Sequence, residues 1–547
     1  MEKEKVKNCL KDKYNFTFII ILVSGIIIRI YHFLLTKGQP LWWDEADYMA
    51  YAKNLAGLNI DWIIATKHNS LYPYLAAGVF KIGLGEMAIK LFLQVIPSIQ
   101  SIVLVYYLAN EMYKDKRIGV IASFLMTVFW VNLFNTSRFH VDISGLFLGL
   151  LAIYVFWKGF EKKEKILGKL DPKWALTLAA FFAVASYSIR RGYFLFGVFI
   201  AAHILLTRNW KDLAKDKHNW IALVFGIILI FFVEKVIFIS AIGDVGGEYF
   251  HQELPISFAP LNIFASFFKI GGFWGHILFY LFWIGFILII GKMALSLGYI
   301  KKEIISKANL LNFIIIAVTL LFFMVVLRST AIEVQAEPRW YLPIAFSAFI
   351  CIAHAGITAI DYAKKNGKKL ALIVSIVLAA ILLINGFYQY KVSDSIVKEK
   401  VSTYSGIREA GFFLKEISNK EDLVLTLGQP QVEYYSERKT LNARVWAADP
   451  KLMEVQEHFD ATLKKIEETP DLRFLVISFT EPAYPDWMCN CGDSASTWEI
   501  PFMATKIDFS AGTQDIKEQI SYGNLTFKLI TVKQEVFIYE IIRKNSP

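Results

Sequence analysis

Long apolar runs constrain this chain more than any other feature of its sequence. From Tyr14 to about Tyr390, runs of about twenty mostly apolar residues recur, and each can cross the roughly 30 Å hydrocarbon layer of a bilayer. Charged residues make up 19% of the chain, compared with roughly 25% in ordinary soluble proteins. The sequence therefore predicts a polytopic α-helical membrane protein.

The apolar runs correspond to about eleven membrane-spanning helices. They are predicted near residues 15–36, 87–109, 118–135, 142–159, 174–189, 192–207, 219–242, 275–293, 310–327, 340–360 and 370–389. The composition changes after residue 390, so we expect two domains. A transmembrane domain occupies 1–390, with a first external loop at 37–86, and a soluble domain occupies 391–547.

The distribution of Lys and Arg predicts the orientation of the chain in the membrane. The N-terminal segment MEKEKVKNCLKDKY is rich in lysine, and every second connection is basic, as in KKNGKK at 364–369. Basic connections face the cytoplasm, so the N-terminus is expected inside and the C-terminal domain outside a cell membrane crossed many times. The net charge of +10 is then mostly cytoplasmic anchoring, and it requires no nucleic acid.

The segment 391–547 has the pattern of an extracytoplasmic α/β domain. Buried-type strands are predicted in DLVLTL and RFLVISF, helical patterns lie between them, and NLTFKLI and VKQEVFIYEII are expected to form a closing pair. Cys489 and Cys491 form a C-x-C motif without a neighbouring His/Cys cluster. A local disulfide or two free thiols therefore fit this motif better than a zinc site.

The first external loop is unusual because it combines aromatic residues with carboxylates. From Asp44 to Leu55 the pattern predicts an amphipathic helix in the membrane interface, with Trp42, Trp43, Tyr48 and Tyr51 at headgroup depth. Asp44, Glu45 and Asp47 stand at its start. Acidic residues also favour the first turn of any helix, which is the simpler interpretation.

Charged residues on the external side make a purely structural interpretation less favourable. An arginine at a helix end can be a snorkelling anchor, but positive charge is expected mainly on the cytoplasmic side. The external-side residues are Arg29, Lys67, His68, Arg138, Asp142, Arg190, Arg191 and Arg339. Together with the loop carboxylates, they predict an anionic headgroup site beside an acid/base pair.

Four segments of the chain resemble the GT-C group of membrane glycosyltransferases, within residues 20 to about 360. The resemblance is greatest to the protein O-mannosyltransferase and aminoarabinose transferase (ArnT-like) type. The first segment, RIYHFLLTKGQPLWWDEADYMAYAKNL, matches the family motif at Arg29, Trp43, Asp44, Glu45 and Tyr48.

The other three segments follow in the order expected for the family. KHNSLYPYLAAGVFKIGLGE matches at His68, Leu71 and Tyr72, although Asn69-Ser70 stands where the family usually has two prolines. SRFHVDISGLFLGLLAIY matches a family carboxylate at Asp142, and EPRWYLPIAF matches at Arg339, Tyr341, Leu342 and Pro343.

The resemblance implies transfer of a sugar from a polyprenyl (dolichyl)-phosphate-linked donor to an acceptor hydroxyl of a protein, glycan or lipid. It also implies inversion at the sugar carbon, with Asp44 as general base and Glu45 and Asp142 as further catalytic carboxylates. The donor phosphate and substrate would be bound by Arg29, Lys67, His68, Tyr72, Arg138, Arg190, Arg191, Arg339 and Tyr341. We expect transfer without a metal, because arginines can serve the phosphate leaving group; a divalent ion (Mg or Mn) on Asp44 and Asp142 is the less favoured alternative.

Two other functions stay open at the level of the sequence. An oligosaccharyltransferase would transfer a whole lipid-linked glycan, but such enzymes carry a WWD-type motif in the external domain, and here WWD occurs only at Trp42-Trp43-Asp44. A transporter or flippase of lipid-linked sugars would show charged or broken helices at mid-membrane and two matching halves. The loop GDVGGEYFHQELPIS at 243–257 is a candidate cover for the site.

Overall fold

The computed structural model describes residues 11–58, 70–238, 259–269, 272–296, 298, 303–326, 337–447, 453–479, 484–491, 496–508 and 510–544. Lys67, His68 and the predicted covering loop 243–257 lie outside these ranges. The described residues form two compact units. The transmembrane unit comprises those within 1–37, 69–72 and 85–399, and the C-terminal unit comprises those within 38–68, 73–84 and 400–547.

The described helices are numbered in chain order. They are α1 (Lys13–Leu35), α2 (Trp43–Leu55), α3 (Leu71–Lys81), α4 (Glu86–Tyr113), α5 (Lys116–Val128), α6 (Trp130–Thr136), α7 (Val141–Glu161), α8 (Ala175–Ile189), α9 (Leu195–Thr207), α10 (Trp210–Lys215), α11 (Lys217–Ile237), α12 (Ala259–Lys269), α13 (Phe273–Leu295), α14 (Ile304–Val326), α15 (Ala345–Asn366), α16 (Lys368–Lys400), α17 (Ser405–Ile417), α18 (Gln429–Ser436) and α19 (Val455–Glu467). A 3₁₀ segment, Arg191–Phe194, precedes α9, and another, Pro338–Ile344, precedes α15.

Among the described residues, the predicted spans coincide with helix, which confirms a multi-span membrane protein. Within the described ranges, eight helices are long and apolar enough to cross a membrane, or nine if α5 and α6, bent by 50°, form one span. The fifth and sixth predicted spans correspond to α8, with 15 residues, and α9, with 13. Both are shorter than the roughly 20 residues that a straight crossing needs.

Small residues allow close helix packing in the transmembrane unit. A Cβ atom added at Gly285 on α13 would overlap the backbone of Cys351 on α15. Cys351 is a free, buried thiol, and it lies at this contact. Helix association in a bilayer depends on such close approach, because lipid provides no hydrophobic drive between apolar helices.

The C-terminal unit contains a six-stranded sheet in the order β2-β1-β3-β9-β8-β7 and a three-stranded sheet in the order β4-β5-β6. The strands are β1 (Leu423–Thr426), β2 (Thr440–Asn442), β3 (Leu472–Ser478), β4 (Thr497–Ile500), β5 (Thr505–Asp508), β6 (Thr513–Asp515), β7 (Gln519–Tyr522), β8 (Leu525–Lys533) and β9 (Val536–Arg543). β1 is parallel to β2 and β3, whereas β3 pairs with β9, and β9 with β8, in antiparallel fashion. The α/β class and the closing pair are as predicted, and the small second sheet was not predicted. Cys489 and Cys491 form a disulfide.

The helix predicted from Asp44 to Leu55 is present as α2. Tyr48 and Tyr51 are buried within the protein, and α2 packs against α18 of the same unit. These two tyrosines therefore serve protein packing, whereas Trp42 and Trp43 are partly exposed. The position of α2 in the membrane interface stays a prediction.

We expect Gly285→Ala to separate α13 from α15 and to lower the midpoint of thermal unfolding in detergent. Overpacking of this kind costs about 1–3 kcal/mol. Gly291→Ala is the matched control, since it lies on the same helix and an added Cβ meets nothing within 4 Å. Equal midpoints for the two variants would contradict this close contact.

Candidate functional site

A buried carboxylate with arginine partners lies at one end of α7 in the transmembrane unit. Asp142 stands in the first turn of α7 and is fully buried. Arg190, at the turn between α8 and α9, forms an ion pair with the Oδ1 atom of Asp142. Arg339 Nη1 lies 3.8 Å from the Oδ2 atom of Asp142. The structure thus brings together three predicted site residues that are far apart in sequence.

His140 and Gln94 extend this cluster. His140 precedes α7, and its ring contacts the Arg339 guanidinium, with 2.9 Å between Nη1 and Nε2. Gln94 Nε2 donates a hydrogen bond to the His140 carbonyl oxygen (2.7 Å) and another to the Tyr72 hydroxyl (3.0 Å). Gln94 therefore connects Tyr72, a predicted site residue, to the Asp142 cluster.

Arginine side chains approach the buried carboxylate of this cluster. The guanidinium groups of Arg190 and Arg339 face the carboxylate of Asp142. Arg138, two residues before His140, is buried and lies over the Phe134 ring at 5.7 Å. Glu337, which contacts Arg339 Nε at 2.9 Å, has a half-exposed side chain. Arginines in this setting suit an anionic ligand, because arginine binds phosphate with several directed hydrogen bonds.

Other predicted binding residues have mainly protein partners. Arg29 is buried and donates to Ser98 Oγ at 2.7 Å and to the carbonyl oxygens of Gly25, Met126 and Thr127. Its cationic head is thus satisfied within the helix bundle, where it joins α1, α4 and α5.

Tyr341 and Arg191 likewise contact neighbouring protein groups. The Tyr341 hydroxyl donates to the Pro260 carbonyl oxygen at 2.6 Å. The Arg191 guanidinium lies over the Phe238 ring at 4.4 Å. Tyr341 therefore joins α12 to the segment before α15, close in sequence to Arg339.

Asp44 and Glu45, the two predicted catalytic carboxylates at the start of α2, have different settings in the C-terminal unit. Glu45 is buried and accepts a hydrogen bond from the Trp42 backbone N–H at 2.9 Å, which caps the start of α2. Asp44, one residue earlier, is only partly buried. Asp44 is thus the more accessible of the two, and Glu45 stabilises the helix that carries it.

The residues around Asp142 do not fit a divalent metal ion. Its carboxylate is already paired with Arg190 and faces Arg339, so the local donor set is one carboxylate among cations. Across the described ranges, no group of three or more His, Cys, Asp or Glu side chains is placed to hold a metal. Mg²⁺ and Ca²⁺ sites are built from several oxygen ligands.

Sequence reasoning missed two buried polar groups. Gln94 lies in a π-helical turn of α4, and such turns are frequent at functional sites. Glu161, at the other end of α7, binds Lys307 Nζ at 2.7 Å and Arg208 Nη2 at 2.8 Å. Gln94 is a polar residue inside the apolar run LFLQVI, and this feature of the sequence could have identified it as a candidate site residue.

Comparison with known proteins identifies the class of this fold. Residues 67–236, less than half of the chain, match the family model described as dolichyl-phosphate-mannose-protein mannosyltransferase. No curated protein matches the sequence significantly.

Two solved structures are similar over most of the chain. ArnT from Cupriavidus metallidurans, bound to undecaprenyl phosphate, matches with a TM-score of 0.60 and 10% identity, over 95% of this chain and 97% of ArnT. The oligosaccharyltransferase AglB from Archaeoglobus fulgidus, in complex with an inhibitory peptide and a dolichol-phosphate, matches with a TM-score of 0.58 and 12% identity, over 86% of this chain and 70% of AglB. The chain therefore has the GT-C fold of membrane glycosyltransferases, and the predicted resemblance is confirmed at that level.

We expect Asp142→Asn to destabilise the transmembrane unit. Removing one partner of a buried ion pair leaves the other charge uncompensated, at a cost of about 3–5 kcal/mol. The double variant Asp142→Asn/Arg190→Gln should recover part of the loss, because it also removes the stranded cation. Thermal unfolding in detergent measures both effects. Asp171→Asn, at a half-exposed carboxylate, is the control; an Asp142→Asn midpoint equal to that of the control would contradict the pairing.

Proposed function

We propose that this protein is a glycosyltransferase that uses a polyprenyl (dolichyl)-phosphate-linked sugar and an acceptor hydroxyl of a protein, glycan or lipid. The observation that carries the proposal is the Asp142 cluster, in which two arginines, Arg190 and Arg339, face one buried carboxylate. A lipid phosphate would bind to these guanidinium groups. The match to a dolichyl-phosphate-mannose-dependent family model supports the same class of donor.

The chemistry needs one displacement. The acceptor oxygen attacks C1 of the sugar, the bond between C1 and the phosphate oxygen breaks, and the carrier phosphate leaves with the bonding electron pair. Arg138, Arg190 and Arg339 stabilise the charge that grows on that phosphate. Asp44 takes the acceptor proton as general base. A single displacement inverts the configuration at C1.

The remaining predicted roles are part of the same proposal. Glu45 orients Asp44 by stabilising the start of α2. Asp142 positions Arg190 and Arg339. Tyr72 supports this cluster through its hydrogen bond with Gln94. The transfer takes place on the external face, with the N-terminus in the cytoplasm and the residues after 390 outside. The basic connections of the sequence support this orientation.

A transfer assay tests the proposal directly. Purified protein is supplied with radiolabelled polyprenyl-phosphate monosaccharides, mannose first, and with a membrane extract as the source of acceptors, with and without EDTA. We expect label to move into protein or glycolipid, and we expect EDTA to leave the rate unchanged. Transfer only from a diphosphate-linked oligosaccharide to a sequon peptide would favour an oligosaccharyltransferase. Lipid movement without a new glycosidic bond would favour a transporter and overturn the proposal.

We expect Asp44→Asn to lower the transfer rate by about 10²–10⁴-fold, which is the usual contribution of a general base. The substitution keeps the side-chain volume, so the affinity for the lipid phosphate should change little. Turnover and carrier binding are measured on the same preparation. An Asp44→Asn variant with wild-type turnover would exclude Asp44 as the base.

We expect Arg339→Ala to act on donor binding. Loss of one charge-assisted hydrogen bond costs about 1.5–3 kcal/mol, which raises the Kd for a polyprenyl phosphate by roughly 10- to 150-fold. A polyprenol without phosphate should show a smaller change. Arg473→Ala, at a partly exposed arginine paired with Glu540, is the control. Equal effects on the two lipids would argue against a phosphate contact.

A further inference from the structure

Asparagine side chains that can carry a glycan are marked in a sequence by the triplet Asn-x-Ser/Thr, where x is not Pro. The chain contains three such triplets, which begin at Asn15, Asn135 and Asn524. A triplet of this kind also arises by chance, so the sequence does not distinguish among them. The structure does, through the exposure and the hydrogen bonds of each asparagine.

Two of the three asparagines serve the packing of the transmembrane unit. Asn135 is 3% exposed, and its Nδ2 atom donates a hydrogen bond to the Val131 carbonyl oxygen at 2.7 Å. Asn15, near the start of α1, is partly buried, and its Oδ1 atom accepts a hydrogen bond from the Tyr106 hydroxyl at 2.8 Å. A glycan is bulky and occupies a protein surface, so neither side chain suits one.

Asn524 lies at the tip of the hairpin that joins β7 to β8 in the C-terminal unit. Tyr522 pairs with Leu525, so the loop consists of Gly523 and Asn524. Gly523 has a φ of +56°, which glycine adopts at little steric cost, and Asn524 is exposed. A glycan on this asparagine would therefore extend into solvent without displacing packed side chains.

The backbone of this loop, and not the Asn524 side chain, holds it in place. The Lys544 backbone N–H donates a hydrogen bond to the Asn524 carbonyl oxygen at 2.9 Å, and Lys544 Nζ donates to the Gly523 carbonyl oxygen at 3.4 Å. Among the described residues, no hydrogen bond uses the side-chain amide of Asn524. Gly-Asn is also a favoured hairpin loop, and Gly-Asp serves equally well, so an Asp at this position preserves the turn.

Thr526, the third residue of the triplet, has the opposite setting. It is 6% exposed and lies in β8, opposite Ser521 of β7 and Ile542 of β9. Its hydroxyl is 2.8 Å from the Ser521 hydroxyl. An enzyme that recognises the Thr526 hydroxyl can reach it only before β8 pairs with its neighbours. Attachment of a glycan would therefore precede the folding of this sheet, and the folded hairpin would leave the asparagine at the surface.

We propose that Asn524 carries an N-linked glycan, which an oligosaccharyltransferase adds to this chain as its substrate before the sheet folds. The donor is a lipid-linked oligosaccharide. The Asn524 Nδ2 atom attacks C1 of its first sugar, the bond between C1 and the phosphate oxygen breaks, the lipid phosphate leaves with the bonding electron pair, and the amide proton passes to a base of that enzyme. This modification is separate from the activity proposed above and relies only on the external location of the residues after 390.

The test uses the full-length protein purified from the membranes of its native cells. Trypsin cleaves after Lys517 and Lys528, and mass spectrometry of the peptide 518–528 shows whether it carries a glycan. We expect a glycan in wild type, its complete loss in Asn524→Asp and in Thr526→Val, and its retention in Thr526→Ser. Asp suits the same loop, and Val is β-branched like Thr but lacks the hydroxyl, so both variants keep the hairpin. The intact mass should show no glycan at Asn15 or Asn135.

An unmodified peptide in wild type would overturn the proposal, and so would a modification that persists in Thr526→Val, because it would not depend on the triplet. A membrane-impermeant amine reagent applied to intact cells should label Lys528, which is exposed; absence of that label would overturn the external location and this inference together. Asn524→Asp should keep the wild-type rate of sugar transfer. A modified peptide on a protein without transfer activity would refute the proposed function alone.

Discussion

The hydrocarbon core of a membrane offers no hydrogen-bond partner, and every polar group placed within it has to find one in the protein. The backbone meets this requirement by forming helices. Charged side chains meet it through one another, as Asp142 does with Arg190 and Arg339, or through backbone carbonyls, as Arg29 does with those of α1 and α5. The position of α7 relative to α8 and to the segment before α15 follows from these pairings as much as from apolar packing.

The same requirement separates structural cations from candidate ligand-binding cations. Arg29 has its donors satisfied by protein groups, so it contributes to helix packing whatever else binds nearby. The Asp142 cluster differs because two guanidinium groups, those of Arg190 and Arg339, approach one buried carboxylate. In the function that we propose, a lipid phosphate binds to these guanidinium groups. The charge of the leaving phosphate would then be stabilised by groups already held in place, without reorganisation during the reaction.

The segment that contains α2 shows how a short stretch of chain can belong to a unit formed mainly by residues far away in sequence. Its helix α2 shares a compact unit with residues after 400, and its start and end contact Tyr435 and Tyr434. A general base needs a fixed position and partial access to water, and Asp44 is partly exposed on a helix that its own unit holds. The domain whose sequence carries no recognisable catalytic motif is thus the support for the residue that we assign to proton transfer.

By itself, the sequence determined the membrane class, the helical character of the apolar runs, the α/β character of the C-terminal domain and the resemblance to GT-C proteins. These depend on local properties, such as the length of apolar runs, strand periodicity and short motifs near Asp44, Asp142 and Arg339. Only the tertiary structure decided which charges meet. It paired Asp142 with Arg190, placed Gln94 between Tyr72 and His140, and buried Tyr48 and Tyr51 in the protein. Such contacts join residues many turns apart, and no local pattern fixes them, because burial and partner choice arise only when helices pack.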